Sequence, residues 1–105
     1  MVDRRLAVYL SGPMTGLPKY NYPAFHNAAR HLRAKGYFVY NPAESFDGDT
    51  SRPREDYMRK DIEMLLKADM VALLPGWERS KGAAVEIAVA TSLGLMLYPL
   101  EEMAF

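Results

Sequence analysis

Residues 70–100 read MVALLPGWERSKGAAVEIAVATSLGLMLYPL, and their punctuation decides the fold. Met70-Val71-Ala72-Leu73-Leu74 is a short apolar run broken by Pro75-Gly76, which predicts a buried strand. After the loop Trp77-Glu78-Arg79-Ser80 a helix runs to about Leu93, with Gly94 as its stop. Met96-Leu97-Tyr98-Pro99-Leu100 is a further strand, and its proline suits an edge or a strand end. Strand, helix and strand in succession, with continuous apolar strands, imply a parallel βαβ unit.

Upstream the same grammar repeats. Leu6 to Leu10 is a strand ended by Ser11-Gly12-Pro13, and residues 14–23 read as a loop. From about Tyr22, Phe25, Ala28, Ala29 and Leu32 mark one face of a helix that Gly36 closes. Tyr37 to Tyr40 is an aromatic, β-branched strand stopped by Asn41-Pro42. The polar segment 43–55 is long for its position, and such loops are usually functional or mobile. A second helix starts near Arg54, with Met58, Ile62, Leu65 and Leu66 on its inner face. The order β-α-β-α-β-α-β predicts an open, doubly wound parallel sheet of four strands, a flavodoxin- or Rossmann-like three-layer sandwich of order 2-1-3-4. One domain spans residues 1–105.

Composition narrows the function classes. Thirteen basic residues offset thirteen acidic ones, so no overall field holds a nucleic acid polymer. Without cysteine, disulfides and thiolate metal sites are excluded. Met1-Val2-Asp3-Arg4-Arg5 precedes only about five apolar residues, too few for an export signal, and nothing approaches a membrane span. A soluble, cytoplasmic protein without membrane contact is expected. Leu100, Met103 and Phe105 could form an apolar assembly patch.

In open parallel sheets ligands bind beyond the carboxyl ends of the strands. That rim comprises Ser11-Gly12-Pro13-Met14, Asn41-Pro42, Pro75-Gly76-Trp77 and the helix starts near Tyr22, Arg54 and Ser80. Ser80-Lys81-Gly82 reads from its spacing first as a plain helix cap and second as an anion cradle. Glu86 lies among Ala83, Ala84, Val85, Ile87, Ala88 and Val89, where a carboxylate is anomalous without a partner. Partly desolvated, it could attack a sugar anomeric carbon; otherwise it is an edge residue paired with a cation. Asp61, beside inward-facing Ile62, is either a general acid near Glu86 or a solvated charge. Tyr9 could orient the carboxylate or simply fill the core. Trp77 could stack on a base or cover the core. Asp69 sits at the opposite rim and reads as structural. His26 and His31 lie away from the rim with no metal-ligand spacing.

Tyr9-Leu10-Ser11-Gly12-Pro13-Met14, Asn41-Pro42-Ala43-Glu44, Asp61-Ile62 with Ala68-Asp69, and Ser80-Lys81-Gly82-Ala83-Ala84-Val85-Glu86 together resemble the nucleoside 2-deoxyribosyltransferase superfamily. Within it, a small bacterial and phage branch of uncharacterised function is the most similar. The resemblance implies a doubly wound sheet and a covalent glycosyl-enzyme intermediate. It implies Glu86 as nucleophile, Asp61 as the acid that protonates the base, and Tyr9 as the residue that positions Glu86. The transferases carry aspartate six residues before the glutamate, where this chain has Ser80. In that respect it is similar to the 2′-deoxynucleoside 5′-monophosphate N-glycosidases, whose Ser-x-Gly contacts the 5′-phosphate. The expected function is hydrolysis, or transfer, of the N-glycosidic bond of a nucleotide, a (deoxy)nucleoside 5′-monophosphate. The alternative is a non-catalytic nucleotide-binding or sensing module. Ser11, Gly12, Pro13, Met14, Asn41, Trp77, Ser80 and Gly82 are the expected substrate contacts. The partner is a small-molecule nucleotide or nucleoside, no cofactor or metal is needed, and a homodimer or higher homo-oligomer is the family expectation.

Overall fold

The computed structural model describes residues 5–103. Four parallel strands, β1 (Ala7–Ser11), β2 (Phe38–Tyr40), β3 (Met70–Leu73) and β4 (Met96–Pro99), form one sheet in the order β2-β1-β3-β4. Helices α1 (Tyr22–Ala34), α2 (Arg54–Leu65) and α3 (Lys81–Ser92) make the crossovers. β1 leads outward to β2 in one direction, whereas the other two crossovers run in the opposite direction. Right-handed connections therefore put α1 on one face of the sheet and α2 with α3 on the other. The predicted doubly wound sandwich and its strand order are what the chain adopts.

Period-two alternation divides the core between the two faces. Val8 and Leu10 of β1 and Ala72 of β3 meet Phe25, Ala28, Ala29 and Leu32 of α1. Tyr9 of β1 and Val71 and Leu73 of β3 meet Leu65 of α2 and Ala90 of α3. Asp69 confirms its structural reading: its Oδ2 accepts from the Ala7 amide at 2.8 Å, and its own amide donates to the Ala7 carbonyl at 2.8 Å. That clamp aligns the starts of β1 and β3.

Several expectations need correction. Leu66 is not on the inner face of α2: it is 59% exposed. Residues 14–23 are not wholly irregular, since Pro18–Asn21 form a 3-10 turn. Pro42–Gly48 form a second one, interrupted by left-handed Phe46 and Asp47. Leu100 and Met103 are not a free apolar patch, because both pack against the α1 side of the core. Phe105, the remaining member of that patch, and Met1 to Arg4 of the segment read for an export signal lie outside the described residues. Among the described residues no helix is long and apolar enough to cross a membrane.

Gly12, at the exit of β1, is set by close packing. A Cβ there would stand 2.8 Å from the Cβ of Leu74. Gly12→Ala is expected to lower unfolding stability by about 1–3 kcal/mol through overpacking, measured as a reduced midpoint in urea denaturation.

Candidate active site

β1 sets the centre of the site. Tyr9 and Ser11, two residues apart, point to the same face of the sheet, the face covered by α2 and α3. Both are sealed from solvent, and Glu86 of α3 descends between them with only 6% of its surface exposed. The Tyr9 hydroxyl donates to Glu86 Oε2 at 3.0 Å, and Ser11 Oγ donates to Oε1 at 2.7 Å. The anomalous carboxylate of the apolar helix is thus a hydrogen-bonded one, with one donor on each oxygen. The same helix is capped by Ser80, whose Oγ accepts from the Ala83 amide at 3.1 Å, a contact that fixes where α3 begins and hence where Glu86 falls.

Asp61 of α2 completes the cluster. Burial and then the charge of Glu86 push its carboxyl up to about 8, against an ordinary value of 3.8. Burial raises Glu86 as well, while hydrogen bonds from Ser11, Asp61 and Tyr9 oppose that rise. Of the two carboxyls Asp61 is the one pushed further towards its protonated form, because the hydrogen bonds on Glu86 offset part of the effect of its burial. Burial, then the Glu86 charge, also raises the Tyr9 phenol well above its usual value, so Tyr9 remains a donor.

Tyr9, Asp61 and Glu86 share one cavity of about 660 Å³, a size suited to a small organic ligand. Gly12, Pro13 and Met14 at the β1 exit and Ser80 and Gly82 at the start of α3 line it, as expected from the sequence. Ser11 stands behind Glu86 and touches its carboxylate instead of forming part of the cavity wall. Two expected contacts are displaced. Asn41 is turned away from the cavity: its Oδ1 accepts from the Ala43 amide at 3.0 Å and its Nδ2 lies 3.2 Å from His26 Nδ1. Trp77 packs against the α2–α3 side of the core and is absent from the cavity wall.

The cavity also brings in Tyr20, Arg52, Tyr57 and Arg79, which sequence reading did not single out, beside Tyr22, Arg54 and Lys81 of the rim segments. Tyr20, Tyr22 and Tyr57 supply an aromatic wall, and Arg52, Arg54, Arg79 and Lys81 supply cations. Tyr57 stands one helical turn before Asp61, and that i, i+4 spacing is a signal that would have found it. Tyr20 had no such signal. It is the middle of three consecutive non-glycine residues, Lys19, Tyr20 and Asn21, with left-handed backbone, and Asn21 Nδ2 ties the segment to the Pro13 carbonyl at 2.9 Å. Arg52 lies over the Phe46 ring at 4.0 Å and pairs with Asp56 at 3.1 Å. Among the described residues Arg54, Arg79 and Lys81 make no ion pair. No group of three or more His, Asp or Glu side chains that could hold a metal ion occurs among the described residues.

Comparison with solved structures finds a similar arrangement in a 2-deoxyribosyltransferase from the psychrotolerant bacterium Bacillus psychrosaccharolyticus. The TM-score is 0.67 at 22% identity, covering 89% of this chain and 72% of that one. A 2-desoxiribosyltransferase from Leishmania mexicana is similar at a TM-score of 0.67 and 22% identity, covering 88% of this chain and 61% of that one. At such identity the likeness establishes the common fold. No curated protein matches the chain in sequence. The model of a domain of unknown function, DUF4406, matches residues 6–98, a span that holds β1 to β3, β4 as far as Tyr98, the three helices and the Tyr9–Asp61–Glu86 cluster. The chain therefore belongs to the DUF4406 family.

Proposed function

We infer that this protein cleaves the N-glycosidic bond of a nucleotide, a (deoxy)nucleoside 5′-monophosphate, with Glu86 as nucleophile. The observation that carries the reading is the pair of unlike carboxyls in one cavity, Glu86 held by Tyr9 and Ser11 and Asp61 beside it. A Glu86 oxygen attacks C1′ of the sugar as the C1′–N bond breaks. The bond's electrons leave with the base, which takes the proton of Asp61. Asp61, now ionised, draws a proton from water, whose oxygen attacks C1′ and frees Glu86. The net products are the free base and the sugar phosphate. A second base in place of water would make the reaction a transfer.

The cavity's chemistry supports a phosphorylated substrate. Ser80 and Gly82 open α3, where free amides favour an anion, and Arg54, Arg79 and Lys81, which make no ion pair among the described residues, add positive charge at the same cavity. Tyr20, Tyr22 and Tyr57 offer aromatic surface for a base. The likeness to deoxyribosyltransferases supports the same reaction class.

The test is to incubate the protein with nucleosides and their 5′-monophosphates and follow free base by chromatography. Base release, faster from the monophosphates, is expected. Thermal stabilisation by nucleotides without any release would select the non-catalytic binding module instead.

Ser11 provides a further check. Its hydroxyl is the foremost group opposing the effect of burial on Glu86. Ser11→Ala should therefore raise the Glu86 pKa further, moving the acid limb of the kcat/KM profile to higher pH. An unmoved limb would contradict the role of Ser11 in keeping the nucleophile ionised.

A further inference from the structure

The segment leading into α2 borders the cavity through Thr50 and Arg52, and its fastening converges on Tyr57. The Tyr57 ring meets that of Phe46 edge to face, with centroids 5.5 Å apart. Its hydroxyl donates to the Asp49 carbonyl and accepts from the Arg52 amide at 3.1 Å. The Arg52 guanidinium lies over the Phe46 ring at 4.0 Å, and its Nη2 pairs with Asp56 Oδ2 at 3.1 Å. One face of the guanidinium and one end of its fork are thus occupied, and its charge is offset. What remains is a set of N–H donors in a rigid plane, with no acceptor among them. Arg54, Arg79 and Lys81 differ, because they make no ion pair among the described residues. Those three suit an anion; Arg52 suits a neutral acceptor.

We propose that Arg52 reads the exocyclic group of the substrate's base and selects an oxo base over its amino counterpart, with Tyr57 as the residue that positions it. The proposal rests on the glycosidase reading for the direction in which the base lies. In that reading C1′ stands at Glu86 and the departing base faces Asp61 of α2. Tyr57 stands one turn earlier on the same helix, about 6 Å along its axis, and the Arg52 amide is fastened to its side chain. The base therefore meets the Tyr57 ring and, beyond it, the Arg52 donors. A carbonyl oxygen there, as in hypoxanthine or uracil, accepts from the guanidinium. An exocyclic amino group, as in adenine or cytosine, sets donor against donor and leaves the guanidinium edge unmet. A site built to hydrogen-bond a ligand group penalises the analogue without it far more than apolar packing does. The Thr50 hydroxyl, which both donates and accepts, does not discriminate.

Matched nucleoside 5′-monophosphates test this: hypoxanthine against adenine and uracil against cytosine, each with ribose and with 2-deoxyribose. The oxo member of at least one pair should be favoured about tenfold or more in kcat/KM. In Arg52→Met that ratio should fall to about one, and in Tyr57→Phe part of the way, with thermal unfolding showing that both proteins fold. A residue that served only the fold would slow both members alike and leave the ratio where it was. Base release with equal rates within both pairs, with preference for the amino members, or with a ratio unmoved in Arg52→Met would overturn the proposal while leaving the glycosidase reading intact. Thermal shifts of Glu86→Gln with the same nucleotides, with and without Arg52→Met, measure the preference without turnover. Stronger stabilisation by the oxo nucleotides that Arg52→Met abolishes, in a wild-type protein that releases no base, would keep the role of Arg52 and overturn the glycosidase. Nucleotides that neither stabilise nor react would overturn both.

Discussion

Glu86→Gln is expected to eliminate release of free base, lowering kcat/KM by about 10³-fold or more, while the protein remains folded. Glutamine keeps the shape of the side chain but removes the negative charge and the lone-pair donor that would bond to C1′. The Tyr9 and Ser11 hydroxyls, each engaged with one oxygen of Glu86, can rotate to meet an amide, so the local packing survives. Burial opposes the charged form of Glu86, which means its ionisation costs stability as pH rises through the folded pKa. A neutral side chain carries no such cost. The melting temperature at pH 7 should accordingly be unchanged or raised. Undiminished base release by a folded Glu86→Gln protein would remove this residue from the nucleophile's role.

In the proposed reaction Asp61 governs the other limb. With its carboxyl raised from 3.8 to about 8, it holds the proton that the departing base must receive. The activity of the wild-type protein should fall above about pH 8 as that proton is lost. Asp61→Asn should remove the basic limb and lower the rate by about 10²–10⁴-fold. A substrate whose leaving group departs as a stable anion, such as a nitrophenolate, should suffer far less. Stability follows with a defined sign. Between the unfolded and folded pKa values the native protein binds the extra proton, so stability declines as pH rises from about 4 to about 8. In Asp61→Asn the decline of melting temperature across that window should flatten. If the two proteins show the same slope, Asp61 is not the group that titrates.

The chain's periodicities and breakers made its architecture legible. Continuous apolar strands, each ended by Gly or Pro, specify a parallel sheet, and right-handed crossovers leave one sensible strand order. Glu86 was legible as well, because a lone carboxylate among alanine and valine demands a buried partner. Leu66 misled for a geometric reason. The series Met58, Ile62, Leu66 steps by four residues, and each step rotates about 40° beyond a full turn, so the row winds out of the core. Asn41 and Trp77 misled for another. The rim rule picks the correct segments, but it cannot say whether a side chain faces the ligand, caps a turn or covers the core. Tyr20 escaped because Lys19-Tyr20-Asn21 contains no glycine to announce its left-handed backbone.

Under the proposed activity, the alternation along β1 makes catalysis a reporter of strand alignment. If that strand were threaded one position out of step, Val8 and Leu10 would be delivered beneath α3 and the phenol of Tyr9 would be trapped under α1. Glu86 would then lose both of its donors at once. A misthreaded molecule could retain much of its helical signal and still be chemically silent, so specific activity would count correctly assembled molecules where circular dichroism could not.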